Sequence, residues 1–143
     1  MFHNVLVAID DSATAWKALE EAGALADALN ARLTIIAVAP EVPPFAYRAP
    51  IDVEVLEHEV VSETEKLLRK AVEALPEQLP VTTVQKHGNA GDEIVKQIEG
   101  GRHDLLVMGT RERGRVVSNL FGSVAAHVHF HSHIAMLVIH PEG

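Results

Sequence analysis

Five short apolar runs alternate along this chain with longer segments in which apolar residues return every three or four positions. The runs are residues 5–9 (Val-Leu-Val-Ala-Ile), 33–38 (Leu-Thr-Ile-Ile-Ala-Val), 81–85 (Val-Thr-Thr-Val-Gln), 105–108 (Leu-Leu-Val-Met) and 136–139 (Met-Leu-Val-Ile). β-Branched and aliphatic residues without polar alternation indicate strands covered on both faces. The third run is more polar, which suits a sheet edge.

The intervening segments carry helical periodicity. Trp16, Leu19, Ala22, Gly23, Ala26 and Leu29 share one face of a first helix, with Asp11 or Ser12 able to cap its start and Asn30 marking its end. A second helix is expected over about residues 52–75, with Val53, Leu56, Val60, Leu67, Ala71 and Leu75 inward and Pro76 and Pro80 at its exit. A Gly88-Asn89-Ala90 turn leads into a third over residues 90–99, with Ile94, Val95 and Ile98 inward and Gly100-Gly101 as its stop. A fourth spans residues 116–130. Residues 39–50, with Pro40, Pro43, Pro44, Pro50, Phe45 and Tyr47, read as a long loop, either a partial lid over a site or a surface excursion. The alternation of strand and helix predicts one domain over residues 1–143, an open parallel sheet with helices on both faces.

Charge narrows the function. Twelve Lys and Arg stand against twenty Asp and Glu, a formal net charge of −8, so a general nucleic-acid role is not expected and any phosphate site must be local. With no cysteine there is no disulfide, thiol catalysis or cysteine–zinc site. No run approaches the ~20 apolar residues of a membrane span, and a soluble cytoplasmic protein is the expectation.

The candidate chemistry lies where the fourth strand turns into the fourth helix, at Gly109-Thr110-Arg111-Glu112-Arg113-Gly114 and then Gly122-Ser123. Glycine lets a backbone take positive φ and approach a ligand closely. The helix that follows offers unpaired N–H groups and the positive end of its dipole, so phosphate could be held without lysine. Arg111, Arg113 and Arg115 surround the turn; one of them, Arg111 first, is expected to reach a phosphate, and the plainer alternative is a solvated basic loop. Ser123 could give its hydroxyl and its N–H to phosphate, or be small only for packing. Asp10, closing the first strand, could accept from an adenine amino group or ribose hydroxyls, or else cap a helix.

These residues carry a resemblance. The chain is similar to the UspA-like universal stress proteins, whose ATP-binding members show glycine, two residues, glycine, nine residues, glycine and Ser or Thr. Gly109 and Gly122-Ser123 hold the first and last positions at the family's spacing, and Glu112 replaces the middle glycine. A carboxylate aimed inward there would repel phosphate. The resemblance covers nearly the whole chain, including residues 5–12, 88–90, 104–110 and 137–139.

It implies a flavodoxin-like α/β fold, a five-stranded sheet in the order 3-2-1-4-5, with ligands bound where the strand order reverses. It implies ATP, AMP or ADP as ligand, with Mg2+ as accompanying ion. The implied site comprises Ile9, Asp10, Asp11, Ser12, Val38, Met108, Gly109, Thr110, Arg111, Gly114, Gly122, Ser123 and Val124. A homodimer pairing through Ala135–Ile139 is implied as well, since that apolar strand would otherwise be an open edge. The function expected is a regulatory nucleotide-binding module of the stress response, with an unidentified protein partner allowed. The rivals are a scaffold that binds no nucleotide and a weak nucleotide phosphohydrolase.

Other motifs are excluded. Arg115-Val116 stands where a P-loop needs lysine and a hydroxyl residue, and the turn after the first strand lacks the glycines of a dinucleotide site. No catalytic constellation can be placed, so no residue is named as catalytic. His127, His129, His131 and His133 offer i, i+4 pairs that could chelate zinc or nickel, but without a following glutamate they read as a solvated cluster rather than a metal site, with a pH-sensitive dimer edge as a further alternative.

Overall fold

A computed structural model of the chain describes residues 1–110 and 122–141. Five strands, β1 (Asn4–Ile9), β2 (Arg32–Ala39), β3 (Val81–His87), β4 (Leu105–Gly109) and β5 (Ala135–Ile139), form one sheet in the order β3-β2-β1-β4-β5. Every neighbouring pair is parallel, with Val7 level with both Ile35 and Val107, and Met108 level with Val138. The expected α/β class and strand order are both present. β1 and β4 are adjacent in space though far apart in sequence, so the order reverses between them and their carboxyl ends leave a crevice.

Two apolar clusters hold the helices on. On one face Val5, Val7, Ile9, Leu33, Ile35 and Val107 pack against α1 (Ala13–Leu29) and α2 (Val53–Glu73). On the other, Leu6, Ala8, Ile36, Leu106 and Met108 pack against α3 (Ala90–Gly101) and α4 (Gly122–His131). Successive side chains of a strand point to opposite faces, which is why odd and even positions of β1 divide between the clusters.

The helix ends follow from local chemistry. Ser12 caps α1 by accepting from the Ala15 N–H at 3.2 Å, and Asn30 closes it in the left-handed conformation at φ 54°. Asp52 accepts from the Glu54 and Val55 amides at the start of α2, and Asn89 from the Asp92 amide at 3.0 Å at the start of α3. Gly100-Gly101 does not stop α3, contrary to expectation: the helix runs through both and closes at Arg102, φ 56°. Gly101 is needed for space, because a Cβ there would meet the His103 ring and the Gln97 amide nitrogen, the latter at 2.7 Å. Part of the long proline loop winds into a short 3-10 helix, Pro44–Arg48, with Phe45 and Tyr47 exposed. The first six residues expected of the fourth helix, 116–121, lie outside the described residues.

At the amino ends of the strands, Asn4, Gln97 and His103 are locked together. Asn4 donates its amide nitrogen to the Gly101 and Arg102 carbonyls, which fixes its oxygen as the acceptor for His103 Nδ1 at 3.0 Å. His103 Nε2 lies 3.0 Å from the Gln97 amide nitrogen, so the neutral imidazole satisfies both neighbours. Burial holds His103 below the usual imidazole value, against smaller opposing effects of the Asn4 hydrogen bond and the Asp104 charge. Burial pushes the Asp104 carboxyl up, but the His3 and Asn4 amides that donate to it hold it below the ordinary value on balance.

Candidate functional site

At the carboxyl ends of β1, β2 and β4 a cavity of about 540 Å³ opens toward the first turns of α3 and α4. Its volume falls in the range of small-molecule sites, roughly 300–1,000 Å³. Ala8, Ile9, Ile36, Val38, Met108 and Gly109 make the strand walls; Asp10, Pro40 and Thr110 follow directly from strand ends. Ala90 and Ile94 come from α3, and Gly122, Ser123, Val124 and Ala125 are the first four residues of α4.

Of the site residues expected from the sequence, Ile9, Asp10, Val38, Met108, Gly109, Thr110, Gly122, Ser123 and Val124 line this one cavity. Ser12 does not. Its hydroxyl is committed to the cap of α1 and its N–H donates to Asp10 Oδ1 at 2.9 Å. Asp11 faces a different cavity, described below. Arg111 and Gly114, with Glu112, Arg113 and Arg115, lie outside the described residues. Ala8, Ala15, Ile36, Pro40, Ala90, Ile94 and Ala125 complete the wall and were not named from sequence. Their only signal was apolar or small character at inward positions, which the rest of the core shares.

The glycines act for different reasons. Gly122 takes φ +71° as α4 begins, a conformation L side chains rarely adopt. Gly109 has no such angle; a Cβ there would sit 2.6 Å from the Thr14 carbonyl carbon and 2.7 Å from its oxygen. It is a packing glycine that lets α1 approach β4. Thr14 seals the junction by donating its hydroxyl to the Thr110 carbonyl at 3.1 Å, and the Thr110 N–H donates to the Ile139 carbonyl at 2.9 Å. The Thr110 amide therefore extends the sheet ladder and is not a phosphate donor in this arrangement.

Among the described residues, the group left to meet an anion is the first turn of α4, whose leading N–H groups have no acceptor within the helix. The dipoles of α3 and α4 both bring their positive ends to the cavity, and Asp10 adds one exposed carboxylate to its lining. The arrangement suits a ligand with an apolar ring, hydrogen-bond donors near Asp10 and a negative tail at α4.

Two histidines of the segment have partners within the chain. His127 Nε2 lies 3.0 Å from Asp92 Oδ1, its ring stacks on His131 at 4.2 Å, and His131 Nδ1 donates to the His127 carbonyl at 2.8 Å. Among the described residues no three His, Asp or Glu side chains are grouped to hold a metal ion. Among the described residues, too, no helix is long and apolar enough to cross a membrane.

Comparison with known proteins gives this geometry its context. A sequence model described as the universal stress protein family matches residues 1–140. Universal stress protein YxiE of Bacillus subtilis (strain 168) is 29% identical, over 97% of this chain and 99% of its own. The structure of universal stress protein UspA from Lactobacillus plantarum superposes with a TM-score of 0.78 at 22% identity, covering 96% of this chain and 97% of its own. A universal stress protein family protein from Arabidopsis thaliana, solved with AMP bound, superposes with a TM-score of 0.66 at 16% identity, covering 98% of this chain and 92% of its own. At these identities the structural matches show the shared fold.

Proposed function

From the premise that this chain belongs to the universal stress protein family, we propose that it is a regulatory module of the stress response that binds ATP or a related adenine nucleotide and acts as a homodimer. The observation that carries the nucleotide reading is that one cavity gathers Asp10, Val38, Met108, Gly109 and the first turn of α4 from segments at opposite ends of the chain. The AMP bound by the Arabidopsis relative supports the ligand class.

In this reading the adenine lies between the apolar walls of Val38 and Met108. The Asp10 carboxylate accepts from its amino group or from ribose hydroxyls, while the Gly122, Ser123 and Val124 amides hold the phosphates. Among the described residues no group of three or more His, Asp or Glu is placed to hold a metal, so Mg2+ would be carried by phosphate oxygens and water. The apolar edge strand β5, part-exposed in the single chain, supports pairing with a second copy through Ala135–Ile139.

Isothermal titration with ATP and AMP tests the reading, alongside mass analysis of any nucleotide released from the denatured protein. Saturable heat is expected, with an affinity that Asp10→Ala weakens about tenfold, the loss of one well-placed polar contact being worth ~1.4 kcal/mol. No heat at millimolar nucleotide would overturn it and leave a family member that works as a scaffold.

A further inference from the structure

On the opposite face of the sheet, between α1 and α2, a second cavity of about 520 Å³ is lined by Trp16, Ala37, Val60 and Leu67 among its apolar residues. It meets the nucleotide cleft only along Ile9, Asp10, Val38 and Pro40. We infer that it binds a small zwitterion with an apolar body, the chemistry of an aromatic or long aliphatic amino acid. The charges at its mouth argue for that class. Asp11 and Glu63 supply two carboxylates, Lys66 and Lys70 two ammonium groups, and a third carboxylate, Asp10, is engaged by the Ser12 amide.

Glu63, Lys66 and Lys70 sit at i, i+3 and i+7 on α2, one face of the helix, yet among the described residues none of these three, nor Asp11, forms an ion pair or side-chain hydrogen bond. Two unpaired charges of each sign over an apolar floor complement a ligand that carries one of each. A simple anion would meet the carboxylates and a simple amine the lysines, so each lacks half of the fit. The long lysine stems can lie along the apolar wall and bring their ammonium groups over the mouth. Thr64, also in the lining, donates its hydroxyl to the Val60 carbonyl at 2.8 Å, leaving its oxygen lone pair as an acceptor for a ligand ammonium.

Trp16 is the only tryptophan in the chain, so its indole N–H gives a single amide-spectrum marker for this cavity. The test is a titration of the nitrogen-15-labelled full chain with phenylalanine, phenylpropionate and phenethylamine, with and without saturating AMP. Phenylalanine should shift the Trp16 indole and the Thr64 and Leu67 amides saturably, with AMP present or absent, and each analogue lacking one charge should bind about tenfold more weakly.

Lys66→Gln with Lys70→Gln should abolish the preference for phenylalanine over phenethylamine while leaving the rest of the spectrum in place. Equal affinities for all three probes would refute the zwitterion, as would no saturable shift at the indole. Shifts confined to Gly109, Ser123 and Val124, and displaced by AMP, would put the ligand in the nucleotide cleft and refute this site. Because the readout needs no nucleotide, its failure is separable from that of the nucleotide reading.

Discussion

Replacing Gly109 with alanine should destabilise the protein by about 2–4 kcal/mol, and the structure fixes why. The added Cβ would stand 2.6 Å from the Thr14 carbonyl carbon and 2.7 Å from both its oxygen and its Cβ. Non-bonded carbons rest at about 3.5–4.0 Å, so roughly 1 Å of separation must be found. Two of the three obstructing atoms are backbone and cannot rotate away, so the start of α1 has to move as a unit. Overpacking of this kind costs about 1–3 kcal/mol, and losing the Thr14 to Thr110 hydrogen bond adds about 1 kcal/mol. Urea unfolding followed by circular dichroism measures the sum, and the melting temperature should fall by roughly 3 °C for each kcal/mol. Gly100→Ala is the control: nothing lies within 4 Å of its Cβ and the site is helical, so stability should hold or rise by about 0.5 kcal/mol. Thr14→Ala in the Gly109→Ala background should not restore stability, because it leaves the backbone atoms in place. A stable Gly109→Ala protein, or full rescue by Thr14→Ala, would refute the claim that this glycine exists for helix approach.

Two further outcomes follow from charge and from the sheet edge. His103 is held below its unfolded value of 6.5, so the unfolded chain binds more protons as pH falls past that point. Its stabilising contribution is whole above 6.5 and is lost on acidification toward the folded value; the urea midpoint of the native protein should therefore drop more between about pH 7.5 and 5.5 than that of His103→Gln, and parallel curves would refute this. Leu137 is 36% exposed on β5, so if two copies pair through this strand as proposed, Leu137→Arg should leave folding intact by circular dichroism while lowering the sedimentation coefficient to that of a single chain. An unchanged sedimentation coefficient would refute pairing through β5.

The fold was largely legible because buried parallel strands write themselves as apolar runs, and four of the five runs here carry almost no polar residue. Element ends were less legible where two mechanisms share a residue type. Gly100-Gly101 carries the composition of a helix stop, but Gly101 serves the packing of His103, whose side-chain partner Asn4 is 99 residues away. No local pattern can announce that. Likewise Asp10, Asp11 and Ser12 are all competent caps, and only the backbone path decided that Ser12 caps α1, Asp10 receives the Ser12 amide and Asp11 turns to the other face.

The cleft shows why a backbone-built site reads only faintly in a sequence. A lysine-lined phosphate site would have marked itself by charge; in a chain of net charge −8, the attraction available in the described part of the cleft comes from amides and dipoles at the starts of α3 and α4, which every helix possesses. At this end of the cleft two glycines act as permission: Gly122, which accepts the left-handed turn into α4, and Gly109, which admits α1 against β4. The spacing between those two glycines was readable; their separate reasons were not, because one is a dihedral angle and the other a contact with Thr14. The second cavity is fainter still. Lys66 and Lys70 on an exposed helical face look like ordinary solvated charges until Trp16 and the end of β1 are brought opposite them, and that juxtaposition belongs to the packing of α1 beside α2 rather than to either segment alone.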